Sequence, residues 1–573
     1  NMKKTLFAAL AFVMMVGVAI ILPLSSAQAV EVFSAETETR IYNPEKSYGG
    51  YFIPSQSNGG TTYLIDMMGN VVHEWAGVGG TPQLMPNGNL SSRGQIMDWD
   101  GNILWSYAPA DYGRADWNMH HDSRLIWNKK LKQYTLLAVA RPTTTKADII
   151  AAGGDPNWDY GSSAGAKGAV SRTGTQDGMI EVNMNKEIVW EWKFMDHTVQ
   201  SKNPAWPNYI TDVAKAPGRL DVSWMTDMQA PEGTAGVCND WMHVNSLDYN
   251  EELDQVVINA KHWSTFFVID HGKTFVSTTK WADNTAAAKG PAGDFIYRFG
   301  SPASYNQGAA PGFQTTGHNQ MFGAHNIQWI RPYHWERPHS EAGDKWPDPV
   351  GYTQSGISLP GAGNFLVYDN GVFRPTGYQS RVLEINPFLN AAGVNTGAYV
   401  NPPAAGYVRN IGAFGALGGY GNQANYISKQ VVWSYKSKSP TSFFSPHISG
   451  MQRLPNGNTS IHSGTQGHLF EVTPTGEVVW EYQWPDVAGP TCQAIVTDDF
   501  LINMFRHYRY GTDYPAFAGR DLTPTGTLTG LEPRLVSESR TQQTSKYGFG
   551  FGSAFGGGGS GGVGAGAGGG TGY

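Results

Sequence analysis

The segment Gly69-Asn-Val-Val-His-Glu-Trp75 decides the fold, because its pattern recurs along the chain: a turn residue, two or three apolar residues and then a tryptophan. Most copies follow a short apolar strand such as Tyr63-Leu-Ile-Asp66. A strand, a glycine or asparagine turn and a second strand form a β-hairpin. The pattern occurs six times, and the further copies lie at residues 101–105, 185–190, 272–281, 428–433 and 476–480, of which 272–281 is the weakest.

A second pattern lies between these hairpins, most clearly in Gln83-Leu-Met-Pro-Asn-Gly-Asn-Leu90 and in residues 452–459. Its Pro-Asn-Gly-Asn core supplies the residues that a tight turn needs. Two hairpins per repeat give four strands, which is one blade of a β-propeller. The sequence therefore predicts an all-β fold, a six-bladed β-propeller with four-stranded blades.

The two ends of the repeat region complement each other. The first tryptophan hairpin, at residues 62–75, has no inner hairpin before it, and the last inner hairpin, at residues 491–505, has no clear tryptophan hairpin after it. Ring closure between them removes exposed sheet edges. We therefore expect the N-terminal strands to complete the last blade.

The composition agrees with this fold, and its changes along the chain indicate four segments. The 573 residues include 71 glycines, and only 15% are charged, which suits short strands joined by tight turns. A net charge of −7 argues against a nucleic-acid groove. We expect a signal peptide over residues 1–29, a lead-in over 30–60, the propeller over 61–525 and a disordered, glycine-rich tail over 526–573.

The N-terminal segment has the features of an export signal. Lys3 and Lys4 precede an apolar run over residues 5–24, and Ser25-Ser-Ala-Gln-Ala29 then offers an Ala-x-Ala cleavage site. These features predict a periplasmic or extracellular protein with no stable membrane insertion after cleavage. An uncleaved membrane anchor is the alternative, because a run of about 20 residues can span a bilayer.

The chain contains two cysteines, Cys238 and Cys492. They could pair in an oxidising compartment, and the sequence leaves that pairing open. A core of this size needs neither a disulfide nor a structural metal to be stable.

Histidines recur at the start of the first strand in four successive repeats. We align His121, His243, His325 and His447, and the residue four positions further on is apolar in each case. An even offset places both positions on the same face of a strand. Because the innermost strands of a propeller line its central channel, we expect these four histidines to converge at one mouth of the channel.

A convergent histidine cluster has two chemical uses. Neutral imidazoles can bind zinc or copper. Alternatively, one imidazole acts as a nucleophile while its neighbours stabilise a transferring anionic group. A single histidine at such a position could also simply cap a strand end. Acidic residues are sparse at the aligned positions, with Asp122 the main exception, so a calcium-like site is not expected.

Several longer phrases resemble the bacterial arylsulfate sulfotransferase family, and the resemblance runs from about residue 60 to residue 485. The phrases are residues 240–250 (Asp-Trp-Met-His-Val-Asn-Ser-Leu-Asp-Tyr-Asn), 293–300, 321–330 (Met-Phe-Gly-Ala-His-Asn-Ile-Gln-Trp-Ile), 361–371, 378–384 and 445–458 (Ser-Pro-His-Ile-Ser-Gly-Met-Gln-Arg-Leu-Pro-Asn-Gly-Asn).

The resemblance implies an enzyme that moves a sulfuryl group from a phenolic sulfate ester to a phenolic acceptor. The route is ping-pong through a sulfohistidine, with no nucleotide sulfate donor and no cofactor. Consistent with that, the sequence has no glycine-rich phosphate loop followed by Lys and Ser or Thr. The implied partners are small phenols and aryl sulfates, and the oligomeric state is open.

The resemblance also assigns roles to residues. His447 is the implied nucleophile, while His243 and His325 contact the sulfuryl oxygens or handle the phenolic proton. Arg381 neutralises charge on the transferring group, as a planar guanidinium can. The remaining candidate substrate contacts are Asn326 and His121.

Two other classes of function fit part of the sequence. A non-catalytic exported propeller could serve as a binding or surface-assembly platform, aided by the glycine-rich and aromatic tail. A quinone-dependent dehydrogenase has a similar glycine and tryptophan phrase, but those proteins usually have eight blades and acidic metal ligands. The histidines and Arg381 favour the sulfotransferase.

Overall fold

The computed structural model describes residues 38–56, 60–157, 176–224, 241–311, 316–331, 359–372, 374–375, 377–402, 407–410, 425–438, 442–485 and 504–529. The predicted signal peptide, Cys238, Cys492 and the tail from residue 530 onward lie outside these residues, so their predictions stay open. Within the described residues, no helix has both the length and the apolar character that crossing a membrane requires.

The described residues form a six-bladed β-propeller, which confirms the predicted fold. The blades, numbered here in chain order, are antiparallel sheets whose first strand is innermost in each case. Blade 1 is Gln83–Leu84, Leu90–Ser92, Gln95–Met97 and Ile103–Ser106; blade 2 is Trp117–Asn128, Gln133–Pro142, Gly178–Asn183 and Ile188–Lys193; blade 3 is Val244–Asn250, Gln255–Ala260, Thr265–Ile269 and Phe295–Phe299; blade 4 is His325–Trp329, Phe365–Asp369, Arg381–Ile385 and Val431–Tyr435; blade 5 is Gly450–Arg453, Thr459–Ser463, His468–Val472 and Val478–Gln483; blade 6 is Met504–Tyr510, Tyr51–Gln56, Thr62–Asp66 and Asn70–Trp75.

The N-terminal strands complete the last blade, as predicted, but with a different division of strands. We expected both inner strands of blade 6 to come from the C-terminal end. Among the described residues Met504–Tyr510 comes from that end, and it pairs with Tyr51–Gln56, which belongs to the predicted lead-in. The other predicted inner strand, near residue 491, lies outside the described residues. Glu38–Tyr42 adds a fifth strand to blade 5, and Gly526–Thr527, at the predicted start of the tail, pairs with Asn70–Trp75. The first and the last of the described strands are therefore hydrogen-bonded into the ring.

Two of the six predicted hairpins are wrong. At residues 428–433 the strand after the turn, Val431–Tyr435, pairs with Arg381–Ile385, whereas Asn425–Ser428 before the turn pairs with Tyr407–Asn410. Residues 272–281 do not form a strand pair; they lie across the short helices His271–Thr274 and Trp281–Lys289. The Asp270 side chain accepts a hydrogen bond from the backbone N–H of Lys273 and so caps the first helix. The fourth strand of blade 3 is instead Phe295–Phe299.

In four blades the recurring tryptophan joins its blade to the next. The indole Nε1 of Trp105 donates to Met184 O (3.1 Å), that of Trp433 to Pro474 O (3.0 Å) and that of Trp480 to Met67 O (2.8 Å). Trp190 likewise donates to the Thr274 hydroxyl at 3.0 Å. Burying one indole removes roughly 150–250 Å² from water, which contributes roughly 4–6 kcal/mol before the entropy cost of folding. The tryptophan that defines the sequence pattern therefore also packs its blade against the next one.

The remaining elements lie outside the blades. They are the helix Lys146–Ala151, the parallel pair Thr198–Val199 and Leu220–Asp221, and the antiparallel pair Tyr407–Asn410 and Asn425–Ser428.

Candidate functional site

All six innermost strands run in the same direction, so their N-terminal ends meet at one mouth of the channel. His121 lies in the first strand of blade 2 and His325 begins that of blade 4, while His243 directly precedes the first strand of blade 3. His447 lies three residues before the first strand of blade 5. The predicted convergence is a consequence of this topology.

The backbone is kinked where these histidines lie. His121 has φ of 54° and His243 has φ of 46°, and in blades 4 and 5 the left-handed residues are Asn326 (51°) and Ile448 (52°). Left-handed backbone is costly for residues other than glycine and is concentrated at functional sites. In blades 2, 3 and 4 the pairing register also shifts here, as a β-bulge requires. Bulges re-aim side chains, so the kinks are a local reason why the rings gather at the mouth.

The histidine rings pack around one another and around Phe505 of blade 6. The ring centroids of His121 and His243 are 4.7 Å apart. Phe505 lies 6.0 Å from His121 and 6.3 Å from His325, measured between ring centroids. The rings of blades 2, 3 and 4 therefore line one small basin whose floor is aromatic.

His325 is buried, and both of its ring nitrogens have partners. Nδ1 lies 2.7 Å from Asn370 Oδ1, and Nε2 accepts a hydrogen bond from the backbone N–H of Ile448 at 3.2 Å. Because Nε2 is an acceptor, the proton lies on Nδ1 and is donated to Asn370. Asn370 in turn donates to Ser445 O and Ile448 O. His325 thus holds the backbone on both sides of His447.

His121 is held by a partner that the sequence did not single out, His120. The Nδ1 atoms of the two rings are 2.6 Å apart, and His120 Nε2 lies 2.9 Å from Asp177 Oδ1. If His120 donates through Nε2 to the carboxylate, its Nδ1 is the acceptor and His121 Nδ1 carries the shared proton. In that arrangement the lone pair of His121 Nε2 takes no part in the hydrogen bonds that link His121, His120 and Asp177.

Two cations that lie at this mouth were not identified from the sequence. Arg141 ends the second strand of blade 2 and binds Asp177 Oδ1 through Nε at 3.0 Å. Lys261 directly follows the second strand of blade 3; its backbone N–H donates to His243 O at 3.2 Å. The Lys261 stem passes beside Gly323, where a β-carbon would lie 4.0 Å from Lys261 Cγ. Their positions in the repeat could have revealed them: Lys261 directly follows a second strand, as Asn370 does, and Arg141 is the last residue but one of another.

Burial and these cations keep the imidazoles neutral. Burial, reinforced by Lys261, lowers the pKa of His447 to about 4. The same two causes bring the pKa of His243 and of His325 well below the usual value. For His121 the causes are burial and then the neighbouring His243, and they also bring its pKa well below the usual value. At neutral pH the basin therefore presents unprotonated imidazole nitrogens beside fixed positive charge.

A metal centre is not supported within the part of the chain that the structure describes. No group of three or more His, Cys, Asp or Glu side chains has an arrangement that could hold an ion there. The open alternative of a zinc or copper site therefore gains no support, whereas a neutral nucleophile beside cations needs no metal.

Two further predicted site residues, Asn326 and Arg381, are held by protein partners. Asn326 is buried, and its Nδ2 donates to Met451 O of blade 5 at 3.3 Å. Arg381 begins the third strand of blade 4 and binds Asp369 Oδ2 through Nε at 3.0 Å and Nη2 at 2.7 Å. Arg381 Nη2 also donates to Gln320 O at 2.7 Å, within a separate cavity. Both side chains have protein partners of their own.

The opposite mouth of the channel holds a cavity of about 120 Å³. At its centre two arginines share one carboxylate, since Asp248 Oδ1 lies 2.8 Å from Arg124 Nη1 and 2.6 Å from Arg331 Nη2. The histidine mouth is chemically different because it combines neutral bases with cations. We therefore treat the histidine mouth as the candidate site.

Comparison with known proteins agrees with the resemblance found in the sequence. The family model Arylsulfotransferase (ASST) matches residues 161–285, a segment that includes Asp177, His243 and Lys261. No curated protein matches the chain.

Two solved structures are similar over most of the chain. A protein of unknown function from Bacteroides caccae is 10% identical, with 81% of this chain and 100% of that one covered and a TM-score of 0.32. A luciferin-regenerating enzyme is 8% identical, with 79% and 98% covered and a TM-score of 0.25. Similarities this distant carry no argument about fold or function. The family match is more specific: residues 161–285 are similar to the arylsulfotransferase family model.

Proposed function

We propose that this propeller transfers a sulfuryl group from a phenolic sulfate ester to a phenolic acceptor, by a ping-pong route through a sulfohistidine on His447. The observation that carries the proposal is the basin of neutral histidines from consecutive blades beside Lys261 and Arg141. The family match supports the reaction class, and the basin supports the covalent route.

His447 is the nucleophile because it combines a neutral ring with partial exposure. Its pKa of about 4 leaves an unprotonated nitrogen at neutral pH, and its side chain is not fully buried. In the first half-reaction that nitrogen forms a bond to sulfur, and the electron pair of the ester O–S bond leaves with the phenolate. Lys261 stabilises the charge that develops on the sulfuryl oxygens and on the leaving oxygen.

In the second half-reaction the acceptor phenol takes the sulfuryl group from His447. The phenol proton passes to the free Nε2 of His121, the phenol oxygen forms the new bond to sulfur, and the N–S bond breaks. His447 returns to the neutral state. The proton held by His121 passes to the next departing phenolate or to water, so protons balance over a cycle. Asp177 and His120 orient His121 as a carboxylate orients the base of a catalytic triad.

The other predicted residues then have distinct roles. His243 lies between His121 and His262, at ring-centroid distances of 4.7 and 4.8 Å, and faces the transferring group. His325 is a positioning residue, because its nitrogens are bound to Asn370 and to the backbone beside His447.

The test is turnover of 4-nitrophenyl sulfate with phenol as acceptor. We expect the wild type to release nitrophenol and His447→Ala to release none. With donor alone, the wild type should release one equivalent of nitrophenol and gain the mass of a sulfuryl group on the peptide that contains His447. His73→Asn, a change in an outer strand of blade 6, is the matched control and should keep wild-type turnover.

Two results would contradict the proposal. A sulfuryl label on another histidine would exclude His447 as the nucleophile. Absence of both turnover and label with a folded protein would favour the non-catalytic binding platform.

A further inference from the structure

The backbone that carries His325 is held by two buried asparagines of the preceding blade, blade 3. Ala324 O, directly before His325, accepts hydrogen bonds from Asn245 Nδ2 at 2.8 Å and from Asn259 Nδ2 at 2.5 Å. Asn259 Nδ2 also donates to Asn245 Oδ1 at 2.9 Å, so the two amides act as one unit. Both side chains are fully buried, and a buried polar group that loses its partner costs free energy. We call this pair the asparagine clamp.

A β-bulge explains how Asn245 reaches the next blade. The pairing register of blade 3 shifts between Val244 and Ser246, so Asn245 is the extra residue. Bulges re-aim side chains in this way. The neighbouring Ser246 adds a further contact, because its Oγ accepts a hydrogen bond from the backbone N–H of Ile327 at 3.1 Å. Blade 3 therefore fixes the backbone on both sides of His325.

Two other blades hold the backbone beside the following histidine in a similar way. Asp177, which directly precedes the third strand of blade 2, accepts a hydrogen bond at Oδ2 from the backbone N–H of Val244 at 2.7 Å, directly after His243. Asn370, directly after the second strand of blade 4, donates to Ser445 O at 2.8 Å and so holds the start of the next histidine segment. The position of each of these histidines therefore depends on the blade before it.

The asparagine clamp reaches His447 through His325. His325 Nε2 accepts a hydrogen bond from the backbone N–H of Ile448, directly after His447, at 3.2 Å. Ile448 and Ser449 both have left-handed backbone, with φ of 52° and 88°. Such backbone is costly and persists only where the surrounding structure holds it. A displacement of His325 would therefore remove one of the contacts that keep His447 in place.

We propose that Asn259 is a positioning residue for His447 and acts through Ala324 and His325, across the seams between blades 3 and 4 and between blades 4 and 5. Asn259 has no exposed surface, so it acts only through the residues that it holds. Its effect on sulfotransfer rests on the proposed function, whereas its hold on His325 does not.

The kinetic test measures the burst of nitrophenol from 4-nitrophenyl sulfate in Asn259→Leu, a change of similar size that removes both donated hydrogen bonds. We expect the burst rate to fall about 10²-fold, because a displacement of about 1 Å can cost that much. The donor concentration that gives half the maximal burst rate should stay within about twofold, since Asn259 acts on the nucleophile and not on donor binding.

Asn284→Leu is the matched control for this substitution. Asn284 is also fully buried, and its Nδ2 donates to two backbone carbonyls, Val189 O at 3.0 Å and Ser277 O at 2.8 Å. These contacts lie at the outer strand of blade 2. The burst rate of Asn284→Leu should therefore stay within about twofold of the wild type.

Combination with His325→Leu separates positioning from a general loss of stability. If Asn259 acts through His325, adding Asn259→Leu to His325→Leu should slow the burst by no more than about twofold further. A full additional loss of about 10²-fold would overturn the proposal. Asn259→Ser, whose shorter side chain removes the same hydrogen bonds, gives the same comparison where leucine prevents folding.

Nitrogen NMR of protein labelled at histidine tests the clamp without any turnover. We expect wild-type His325 to show a protonated Nδ1 and an unprotonated, hydrogen-bonded Nε2. In Asn259→Leu the Nε2 resonance should move toward that of an imidazole nitrogen without a hydrogen bond, and in Asn284→Leu it should stay at the wild-type position.

The two readouts fail independently. An unchanged His325 resonance in folded Asn259→Leu would overturn the clamp, and a moved resonance with an unchanged burst rate would overturn its link to His447. A wild type that gives no burst would count against the proposed function, and the NMR result would still decide whether Asn259 holds His325.

Discussion

Arg506 of blade 6 and Asp122 of blade 2 form a fully buried ion pair, Nη1 to Oδ2 at 2.9 Å, although blade 1 lies between their blades in the ring. The contact is possible because the innermost strand of blade 1 has only two residues. Asp122 also accepts hydrogen bonds from Thr81 Oγ1 at 3.2 Å and from the backbone N–H of Leu247 in blade 3 at 3.0 Å. One carboxylate therefore joins blades 6, 2 and 3 and the segment that leads into blade 1, below the histidine basin.

Removing the Asp122 charge should strongly destabilise the propeller. Asp122→Asn leaves Arg506 as a buried cation without its carboxylate, and breaking a buried pair in this way costs about 3–5 kcal/mol. We expect that loss in the free energy of unfolding, measured by urea titration with tryptophan fluorescence. Asp111→Asn changes an exposed carboxylate of the same type and should stay within about 0.5 kcal/mol of the wild type. A loss below about 1 kcal/mol in the free energy of unfolding for Asp122→Asn would show that the ion pair does not stabilise the propeller.

On the acid side, the pH at which kcat/KM for sulfotransfer begins to fall should lie near the lowered pKa of His447. The attacking nitrogen must be unprotonated, so kcat/KM should be constant above about pH 4 and fall about tenfold per pH unit below it. Because burial and Lys261 both lower that pKa, Lys261→Gln should move the fall to higher pH. Circular dichroism at each pH separates this loss from unfolding. A wild-type fall near the ordinary histidine pKa of about 6.5 would contradict a nucleophile in this environment.

His121 should matter most for the step that consumes the acceptor phenol. His121→Gln removes the base that takes the phenolic proton, and losing such a base costs about 10²–10⁴-fold in rate. The burst of nitrophenol from 4-nitrophenyl sulfate should remain, since nitrophenolate leaves without a proton. Rapid-mixing kinetics with and without phenol measure the two steps, with His73→Asn as the control. Equal slowing of both steps would mean that His121 contributes to binding rather than to proton transfer.

A buried charge cluster between blades 2 and 3 should make stability depend on pH on the alkaline side. His271 Nε2 lies 2.9 Å from Glu181 Oε2, and its Nδ1 lies 2.7 Å from Asp254 Oδ1. Burial alone would lower the pKa of His271, but Glu181 and then Asp254 outweigh it and raise the pKa to about 9. The stabilisation is therefore fully present below the unfolded pKa of about 6.5 and is lost as the pH rises through about 9.

The difference in the free energy of unfolding between wild type and His271→Gln measures this contribution. We expect the wild type to be more stable by about 3 kcal/mol at pH 6, and the gap to close between about pH 7 and pH 9.5. Denaturant titrations at several pH values measure it. A gap that stays constant with pH would mean that the histidine acts by packing alone.

The sequence by itself indicated the propeller, because the repeated hairpin is a local signal that holds in four of the six copies. Gly69-Asn-Val-Val-His-Glu-Trp75 needs only a turn residue and flanking apolar residues to form, so it can be recognised without its neighbours. Residues 272–281, the weakest copy, lie across two helices instead, and Asp270 caps the first of them. The convergence of the recurring histidines could also be predicted from the sequence, because the inner strands of a propeller all begin at one mouth.

Only the tertiary structure decided which other groups join the histidines. Arg141 lies near the end of one second strand and Lys261 directly follows another, and their distance from His121 and His243 depends on how neighbouring blades pack. The ion pair between Arg381 and Asp369 likewise became visible only in the structure. Periodicity along one chain specifies strands and faces, whereas contacts between blades depend on side-chain packing across residues far apart in sequence.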